Sequence, residues 1–451
     1  MSPPSLPGRR LPRPVREFLH TESAGGVVLL VGALVALVWA NSPWQHSYTS
    51  LWETEVRLEI GRLVVTESLR HWVNDGLMAL FFFVVGLEIK RELVHGELRS
   101  LRTAALPIVG ALGGMVVPAL IYLAVNAGGP GVHGWGVPMA TDIAFAVGVV
   151  ALLGPRVPTS LKLFLLTLAV ADDLGAIVVI ALFYASGVDA TALAVAAGLV
   201  VAIEVLRRAE VTWMPGFVVL GVGVWLATLA SGVHATIAGV VMGLLTPAHP
   251  LAPARLAREW AEDLADEPTP EELLGMTRLA KESVSVAERL AHHLHPLTSF
   301  VIVPIFALAN AGVTLSPSAL SAPGTSAVAL GVALGLVAGK AIGITTASWL
   351  AVRLGLGALP SGVGWRHMAG IAAVAGIGFT VSLFVAGLAY DEEALEGAAK
   401  VGILAGSLVA AVGGSTVLAS ACRSWPLPAP DEAVHDLAPA AAYDPAEVGA
   451  S

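Results

Sequence analysis

Two adjacent carboxylates, Asp172 and Asp173, lie in the middle of the apolar stretch LAVADDLGAIVVI at 168–180. A charged side chain at the centre of a membrane-spanning helix costs about 2.5 to 3.5 kcal/mol on insertion scales. Neighbouring helical residues point about 100° apart, so the two carboxylates cannot both face lipid at tolerable cost. Such a pair suits the binding of protons or of a small hard cation, which prefers oxygen ligands. The structural alternative is a carboxylate that reaches the interface or is held by a threonine.

Two further polar sites interrupt apolar runs. Lys340, in GLVAGKAIGITT, has long apolar flanks and needs a partner, for which Asp172 or Asp173 is available. Thr141 and Asp142 follow Pro138 in GVPMATDIAFAVG, which predicts a span broken in its middle. A break at that depth exposes helix ends that bind or neutralise ions. Simple N-capping by Asp142 and snorkelling of Lys340 to an interface are the structural alternatives.

Three ionisable residues lie nearer to the ends of apolar runs. Asp75 and Glu88 bracket NDGLMALFFFVVGLE, where they line an ion path or are simply interfacial. His234, in SGVHATIAGV, follows a tight turn and is either a hydrogen-bonded structural histidine or part of that path.

The run ERLAHHLHP at 288–296 contains Glu288, His292 and His295. Histidines titrate near neutral pH, so this segment predicts a response to pH. A solvated loop explains it equally well.

The composition indicates a membrane protein. Of the 451 residues, 56% are hydrophobic and 13% are charged, whereas a soluble domain has about 25% charged residues. The single cysteine, Cys422, excludes a disulfide framework and a cysteine metal cluster. We expect an all-α membrane protein with twelve transmembrane helices, in the runs 22–40, 72–94, 104–125, 137–153, 159–185, 189–206, 215–231, 233–247, 296–314, 327–352, 367–390 and 397–421.

The positive charges give an orientation. Most of the 25 lysine and arginine residues fall on one side if both termini are cytoplasmic, as the positive-inside rule requires. This divides the chain into a cytoplasmic N-terminus (1–21), a transmembrane domain (22–422) and a disordered cytoplasmic tail (423–451). An alternating segment at 55–66 predicts a small extracytoplasmic β-hairpin, and the cytoplasmic loop 248–295 contains a capped helix that begins at TPEE.

A repeat is visible in the span pattern. GIGFTVS at 376–382 interrupts a second span, so each half contains one broken helix as the middle member of a three-span group, 104–185 and 327–421. The two groups begin on opposite sides of the membrane. This is typical of the inverted-topology repeats of secondary transporters, in which interrupted helices cross at mid-membrane. Chance placement of glycine, of which the chain has 48, is the alternative.

Six motifs together resemble one family, the NhaA sodium/proton antiporters, from about Gly25 to Val417. They are GLEIKREL at 86–93, TDIAFA at 141–146, ADDLGAI at 171–177, SGVHATIAGV at 231–240, FALANAGV at 306–313 and GIGFTVS at 376–382. The resemblance implies that Asp172 and Asp173 form the Na⁺ site and that Lys340 pairs with Asp172. It also implies that Asp142, beside Thr141, lies in the crossing of the interrupted helices.

The resemblance assigns the peripheral residues as well. Asp75 matches a carboxylate on the outward path, Glu88 and Glu92 match residues near the cytoplasmic funnel, and the 55–66 hairpin matches a dimerisation element. Two positions depart from the family pattern. Ala341 replaces a proline after the lysine, and Ala291 replaces a glutamate before the first histidine of the pH-sensing segment, where Glu288 is one turn away.

We therefore expect an electrogenic Na⁺(Li⁺)/H⁺ antiporter of the cell (inner) membrane, not an enzyme. It would export sodium for inward protons and so regulate intracellular pH and sodium. We expect no resident cofactor and no nucleic-acid partner; the partners are lipid, the transported Na⁺, Li⁺ and H⁺, and a second copy joined through the hairpin. The rival classes are an intramembrane aspartyl protease using Asp142 and Asp172, a cation channel or sensor, and a sodium-coupled transporter of organic solutes.

Overall fold

The structure is a computed structural model that describes residues 22–60, 63–185, 187–209, 213–250, 252–253, 255–256, 259–260, 269–315 and 322–424. The predicted N-terminal segment 1–21 and nearly all of the predicted tail lie outside these residues.

The described part of the chain is mostly helical. Its longer elements are α1 (Glu22–Ala40), α2 (Gln45–Glu53), β1 (Glu55–Ile60), β2 (Leu63–Ser68), α3 (Met78–Val94), α4 (Leu101–Val125), α5 (Ile143–Leu152), α6 (Thr159–Phe183), α7 (Ala190–Arg208), α8 (Met214–Ala230), α9 (Thr236–Leu245), α10 (Pro270–Glu282), α11 (Val286–Leu297), α12 (Val303–Asn310), α13 (Thr325–Leu334), α14 (Lys340–Arg353), α15 (Trp365–Val374), α16 (Phe379–Ala389) and α17 (Glu393–Ala421).

Several of these helices are long and apolar enough to cross a membrane. Among the described residues there are six such helices by length and composition, or up to nine if each of three bent pairs is one span. Helices α8 and α9 are apolar but shorter, and α9, with 10 residues, is about 15 Å long against a hydrocarbon core of about 30 Å. The count of twelve spans therefore stays a prediction.

The two strands pair as an antiparallel hairpin. Glu55 lies opposite Ser68 and Ile60 opposite Leu63, and the loop at 61–62 is outside the described residues. The hairpin leads through a single helical turn, Leu69–His71, and a π-helical segment, Trp72–Leu77, into α3. The indole of Trp72 donates to the backbone oxygen of Val56 at 3.1 Å, which fastens the hairpin to the start of this span.

Two spans are broken, as the sequence predicts. The first consists of a 3₁₀ helix, Pro130–Met139, and α5, with a bend of 49°; the second consists of α15 and α16, with a bend of 50°. The first half of the earlier span begins at Pro130 rather than at the predicted 137. Gly131, Gly134, Gly136 and Pro138 disfavour a regular α-helix there, because glycine is flexible and proline lacks an N–H donor.

The histidine-bearing segment differs from the expected loop. Helix α11 begins at Val286, capped by Ser285, whose hydroxyl accepts a hydrogen bond from the N–H of Glu288. It continues through Pro296 and a π-helical segment, Thr298–Ile302, into α12, so the whole of 286–310 forms one apolar helix. The predicted span at 296–314 started too late, since polar histidines lower hydropathy without interrupting a helix.

The helix that TPEE predicts within 248–295 is present as α10. Thr269 accepts from the N–H of Glu272, and the Glu272 carboxylate accepts from the N–H of Thr269 at 2.8 Å, which is a complete capping box. These backbone and hydroxyl hydrogen bonds lower the pKa of Glu272, because they stabilise its charged form.

A close backbone contact joins α4 to α14. A methyl group added at Gly113 would overlap the backbone oxygen of Gly343, and one added at Gly343 would overlap that of Gly113. Helix α14 begins at Lys340, directly after a π-helical segment, Gly335–Gly339, in which Gly339 packs on Pro118 of α4. This backbone contact sets the position of Lys340 relative to α4.

Replacing Gly343 with alanine should therefore lower the melting temperature of the detergent-solubilised protein, by an amount that corresponds to about 1 to 3 kcal/mol of overpacking. Gly198→Ala is the matched control, because a methyl group at Gly198 in α7 meets nothing within 4 Å. Equal melting temperatures for the two variants would contradict the close crossing.

Candidate functional site

A buried ion pair lies at the centre of the candidate site. The Lys340 ammonium is 2.5 Å from Oδ2 of Asp172, and both side chains have no exposed surface. The same ammonium donates to the hydroxyl of Thr141 at 3.0 Å. The contact between Lys340 and Asp172 that the resemblance implies is thus present, and it brings together α14, α6 and the break in the first bent span.

Asp173 is buried beside this pair on α6, with 4% of its surface exposed. Within the described part of the chain, Oδ1 of Asp172 and Oδ1 of Asp173 are both buried and have no hydrogen-bond partner. Asp173 is within electrostatic range of Asp142 and Glu88. Two adjacent carboxylates therefore each present an unpaired oxygen in a site from which water is largely excluded.

Asp142 joins the two breaks. Its Oδ1 accepts from the N–H of Phe145 at the start of α5, and its Oδ2 accepts from the N–H of Thr380 at the start of α16, both at 3.0 Å. The Thr380 hydroxyl donates to the same Oδ2 at 2.5 Å. One carboxylate thus caps two helix N-termini, each of which carries a partial positive charge.

Two other bonds fix the breaks against each other. The N–H of Asp142 donates to the backbone oxygen of Ile377 at 2.7 Å, and the Thr141 hydroxyl donates to that of Ala375 at 2.8 Å. The N-capping function considered from the sequence is therefore present at Asp142, and it adds to the contact with the second span rather than excluding it.

The structure places Asp75 and His234 away from this centre. Asp75 lies in the π-helical segment before α3, and its backbone oxygen accepts from the indole of Trp225 at 2.8 Å. The His234 Nε2 is 2.8 Å from the backbone oxygen of Tyr184, the contact expected of a structural histidine. His234 is nevertheless within electrostatic range of Asp75.

The remaining candidates lie at the other end of α3. Glu88 is partly buried, whereas Glu92 is buried, with Oε1 3.6 Å from Arg91 and Oε2 accepting from the N–H of Glu97. Helix α11 packs against α3 through Leu87, Ala287 and their apolar neighbours. Its polar side chains Glu288, His292 and His295 are exposed.

Sequence reasoning missed the role of Thr380. The threonine entered the sequence prediction only as part of GIGFTVS, the motif that interrupts the second span, whereas the structure shows that both its N–H and its hydroxyl bind Asp142. Its position two residues after Gly378 and at the start of α16 is the signal that could have found it, since a helix N-terminus seeks an acidic partner.

The arrangement suits the exchange of small cations. The described residues contain no cluster of three histidine, cysteine, aspartate or glutamate side chains that could hold a resident metal. Two adjacent carboxylates each have an unpaired oxygen, and a lysine neutralises one of the two. A monovalent cation or a proton can occupy such a site reversibly without a permanent ligand set.

Comparison with known proteins places the chain in a family. Residues 16–418 match the profile of the family described as Na+/H+ antiporter 1. "Na(+)/H(+) antiporter NhaA 3" of Frankia alni is 49% identical over 96% of both chains. "Na(+)/H(+) antiporter NhaA" of Rhodopirellula baltica is 47% identical over 95% of this chain and 97% of the other.

A solved structure of the sodium proton antiporter MjNhaP1 from Methanocaldococcus jannaschii aligns with 89% of this chain and 92% of its own, at a TM-score of 0.49 and 14% identity. Because this TM-score and identity are low, the family assignment depends only on the sequence matches. They confirm the resemblance indicated by the six motifs: the chain belongs to the Na⁺/H⁺ antiporter 1 family, whose curated relatives named here are NhaA antiporters.

Proposed function

We propose that this protein is an electrogenic antiporter that exports Na⁺ or Li⁺ across the cell membrane in exchange for inward protons, and so regulates intracellular pH and sodium. The observation that carries the proposal is the buried carboxylate pair, Asp172 and Asp173, with one unpaired oxygen each and with Lys340 on Asp172. The family and the names of its members support the same activity.

Competition for one site couples the two fluxes. A dehydrated Na⁺ needs oxygen ligands, and the unpaired Oδ1 atoms of Asp172 and Asp173 supply two of them. Protons bind the same carboxylates, so the site holds either a cation or protons. Alternating access then exchanges one for the other, provided that the empty site does not cross.

Lys340 makes the exchange electrogenic. When sodium is absent, its ammonium neutralises Asp172, and when sodium binds, the ion displaces it. One proton leaves Asp173, and a second leaves the pair formed by Asp172 and Lys340. Two protons against one Na⁺ move one net charge, which a membrane potential drives with about 2.3 kcal/mol per 100 mV.

The broken helices provide the moving part. We propose twelve spans, with 104–185 and 327–421 as inverted repeats and both termini in the cytoplasm. Nearly equal bends of 49° and 50° in the two middle spans support this symmetry. Asp142 and Thr141 hold the breaks together and offset the positive ends of α5 and α16.

The remaining polar residues give the ions their paths. On the outside, ions pass Asp75 to reach the site. On the inside, they pass Glu88 and Glu92, and the pH sensors there are Glu288, His292 and His295.

We also propose a homodimer joined through the 55–66 hairpin. Two strands alone are marginally stable and leave free edges, which pair readily with a second chain. The protease alternative has less support, because Asp142 binds Thr380 while Asp172 binds Lys340.

Asp173→Asn should abolish sodium-dependent dequenching of a pH-gradient dye in everted vesicles, because an amide has one acceptor oxygen fewer and no exchangeable negative charge. Asp189→Asn is the matched control, since this aspartate is the exposed N-cap of α7, beyond the end of α6, and asparagine caps as well. Wild-type dequenching by the Asp173 variant would show that the site is wrongly assigned.

Lys340→Ala should lower thermal stability in sodium-free buffer, by an amount that corresponds to about 3 to 5 kcal/mol, because it leaves Asp172 buried without a counter-ion. Added Na⁺ should then raise the melting temperature of this variant more than that of the wild type, since the ion replaces the lost charge. Lys281→Ala, on exposed α10, is the control. If Na⁺ shifts both proteins equally, Lys340 does not compete with the cation.

Thr380→Val should reduce transport and stability, the latter by about 1.5 to 3 kcal/mol for a lost hydrogen bond to a charged group. Thr380→Ser keeps the hydroxyl that donates to Asp142 and should restore both. Thermal melting and vesicle transport are measured for both variants. Equal losses in the two would indicate that the shape of the side chain at 380 matters rather than its hydroxyl.

A further inference from the structure

The proposed function gives no role to FALANAGV at 306–313, one of the motifs that stand out in the sequence. Within this motif, Asn310 is the last residue of α12, and only 3% of its surface is exposed. A buried side-chain amide is costly unless its N–H and C=O groups are hydrogen-bonded. The partners of Asn310 therefore indicate what the motif contributes.

The amide of Asn310 pairs with that of Asn74, the residue directly before Asp75. Its Nδ2 donates to Oδ1 of Asn74 at 2.8 Å, and Nδ2 of Asn74 donates back to Oδ1 of Asn310 at 3.4 Å. Nδ2 of Asn310 also donates to the backbone oxygen of Phe306 at 3.0 Å. Both donors of this amide are thus used, and its oxygen faces Asn74.

The end of α12 is fixed independently of this pair. The hydroxyl of Tyr48, on α2, is 3.0 Å from the backbone oxygens of both Leu308 and Ala309. The same hydroxyl accepts from the N–H of Gly312 at 3.2 Å. Helix α12 is therefore the anchored side of the amide contact, and the segment that contains Asn74 is the side that the contact positions.

The segment that carries Asn74 and Asp75 is π-helical, over Trp72–Leu77. Its hydrogen bonds reach one residue further than those of an α-helix, and such turns are rare and frequent at functional sites. The indole of Trp225 donates to the backbone oxygen of Asp75 from α8, while Asn310 binds Asn74 from α12. Without the amide contact, the segment can relax to α-helical hydrogen bonds, which would turn Asp75 about the helix axis.

We infer that Asn310 is a positioning residue of the outward path, which acts through Asn74 to keep the Asp75 carboxylate where external Na⁺ enters. The inference rests on the proposed function, which places Asp75 on that path. Adjacent residues of a helical segment point in different directions. With Asn74 directed towards α12, Asp75 lies beside Trp225 and Leu229 of α8. A carboxylate on an entry path raises the local concentration of cations.

The test is a double-mutant cycle of Asp75→Asn and Asn310→Leu, since leucine keeps the branched outline of asparagine without its polar atoms. Uptake of radioactive Na⁺ into right-side-out membrane vesicles is measured against external Na⁺, with internal pH held below a fixed external pH. We expect each single variant to raise the KM for external Na⁺ about threefold to fivefold, with a maximal rate within about twofold of the wild type. The double variant should show no further rise, because Asn310 acts only through Asp75.

Asn126→Leu is the matched control. Asn126 follows the end of α4 and is also 3% exposed, and its Nδ2 donates to the backbone oxygens of Tyr122, four residues earlier, and of Ala327. Its replacement should lower the melting temperature, as Asn310→Leu does, and leave the KM for Na⁺ at the wild-type value. Asn74→Leu breaks the same contact from the other side and serves for the cycle if Asn310→Leu does not reach the membrane.

Three results would overturn the inference: KM effects of Asp75→Asn and Asn310→Leu that multiply in the double variant, a wild-type KM for either single variant, or an equal rise in KM for Asn126→Leu. Absence of Na⁺-dependent proton flux in the wild type would instead overturn the proposed function, so the two failures are distinguishable.

Discussion

The ion pair between Lys340 and Asp172 is the interaction on which the rest of the structure depends. Neither side chain is exposed, so each charge is tolerable only while the other is present. The pair also joins helices α6 and α14, which are distant in sequence, and it contacts the first break through Thr141. In the proposed function, another cation replaces the ammonium at this pair, which is what exchange requires.

The two broken helices meet a second electrostatic constraint. Each break leaves backbone donors unsatisfied in an apolar surrounding, where an unpaired group costs several kcal/mol. Asp142 satisfies donors at both helix starts, while Thr141 and the backbone of Asp142 satisfy acceptors across the breaks. The breaks are consequently an ordered part of the fold, and their polar groups lie next to the ion pair.

The sequence predicts those parts of this arrangement that follow from the cost of burying charged and polar groups. A lysine in a long apolar run needs a carboxylate, and threonine with aspartate after a proline predicts a break. The spacing of apolar residues and the hydropathy of the sequence locate most helices within a few residues. They do not show which oxygens remain unpaired, because this depends on how α6, α14 and the breaks approach one another.

The errors have physical reasons as well. Hydropathy misplaced the start of α11, since its histidines face outwards on an uninterrupted helix. It also gave no sign of the 3₁₀ helix at Pro130–Met139, which results from local glycine and proline content. Thr380 was overlooked because its importance depends on Asp142, more than two hundred residues earlier in the chain.

The crossing of α4 and α14 at Gly113 and Gly343 limits what can move during transport. The backbones meet at these two glycines, and the nearest side chains are the short ones of Ala347 and Val117, so the two helices have little that can repack if one slides along the other. Lys340 lies one turn from this contact, so we expect it to keep its position relative to α4. In the proposed exchange, a change in the contact between Lys340 and the carboxylates then comes from α6 and the breaks rather than from sliding of α14 along α4.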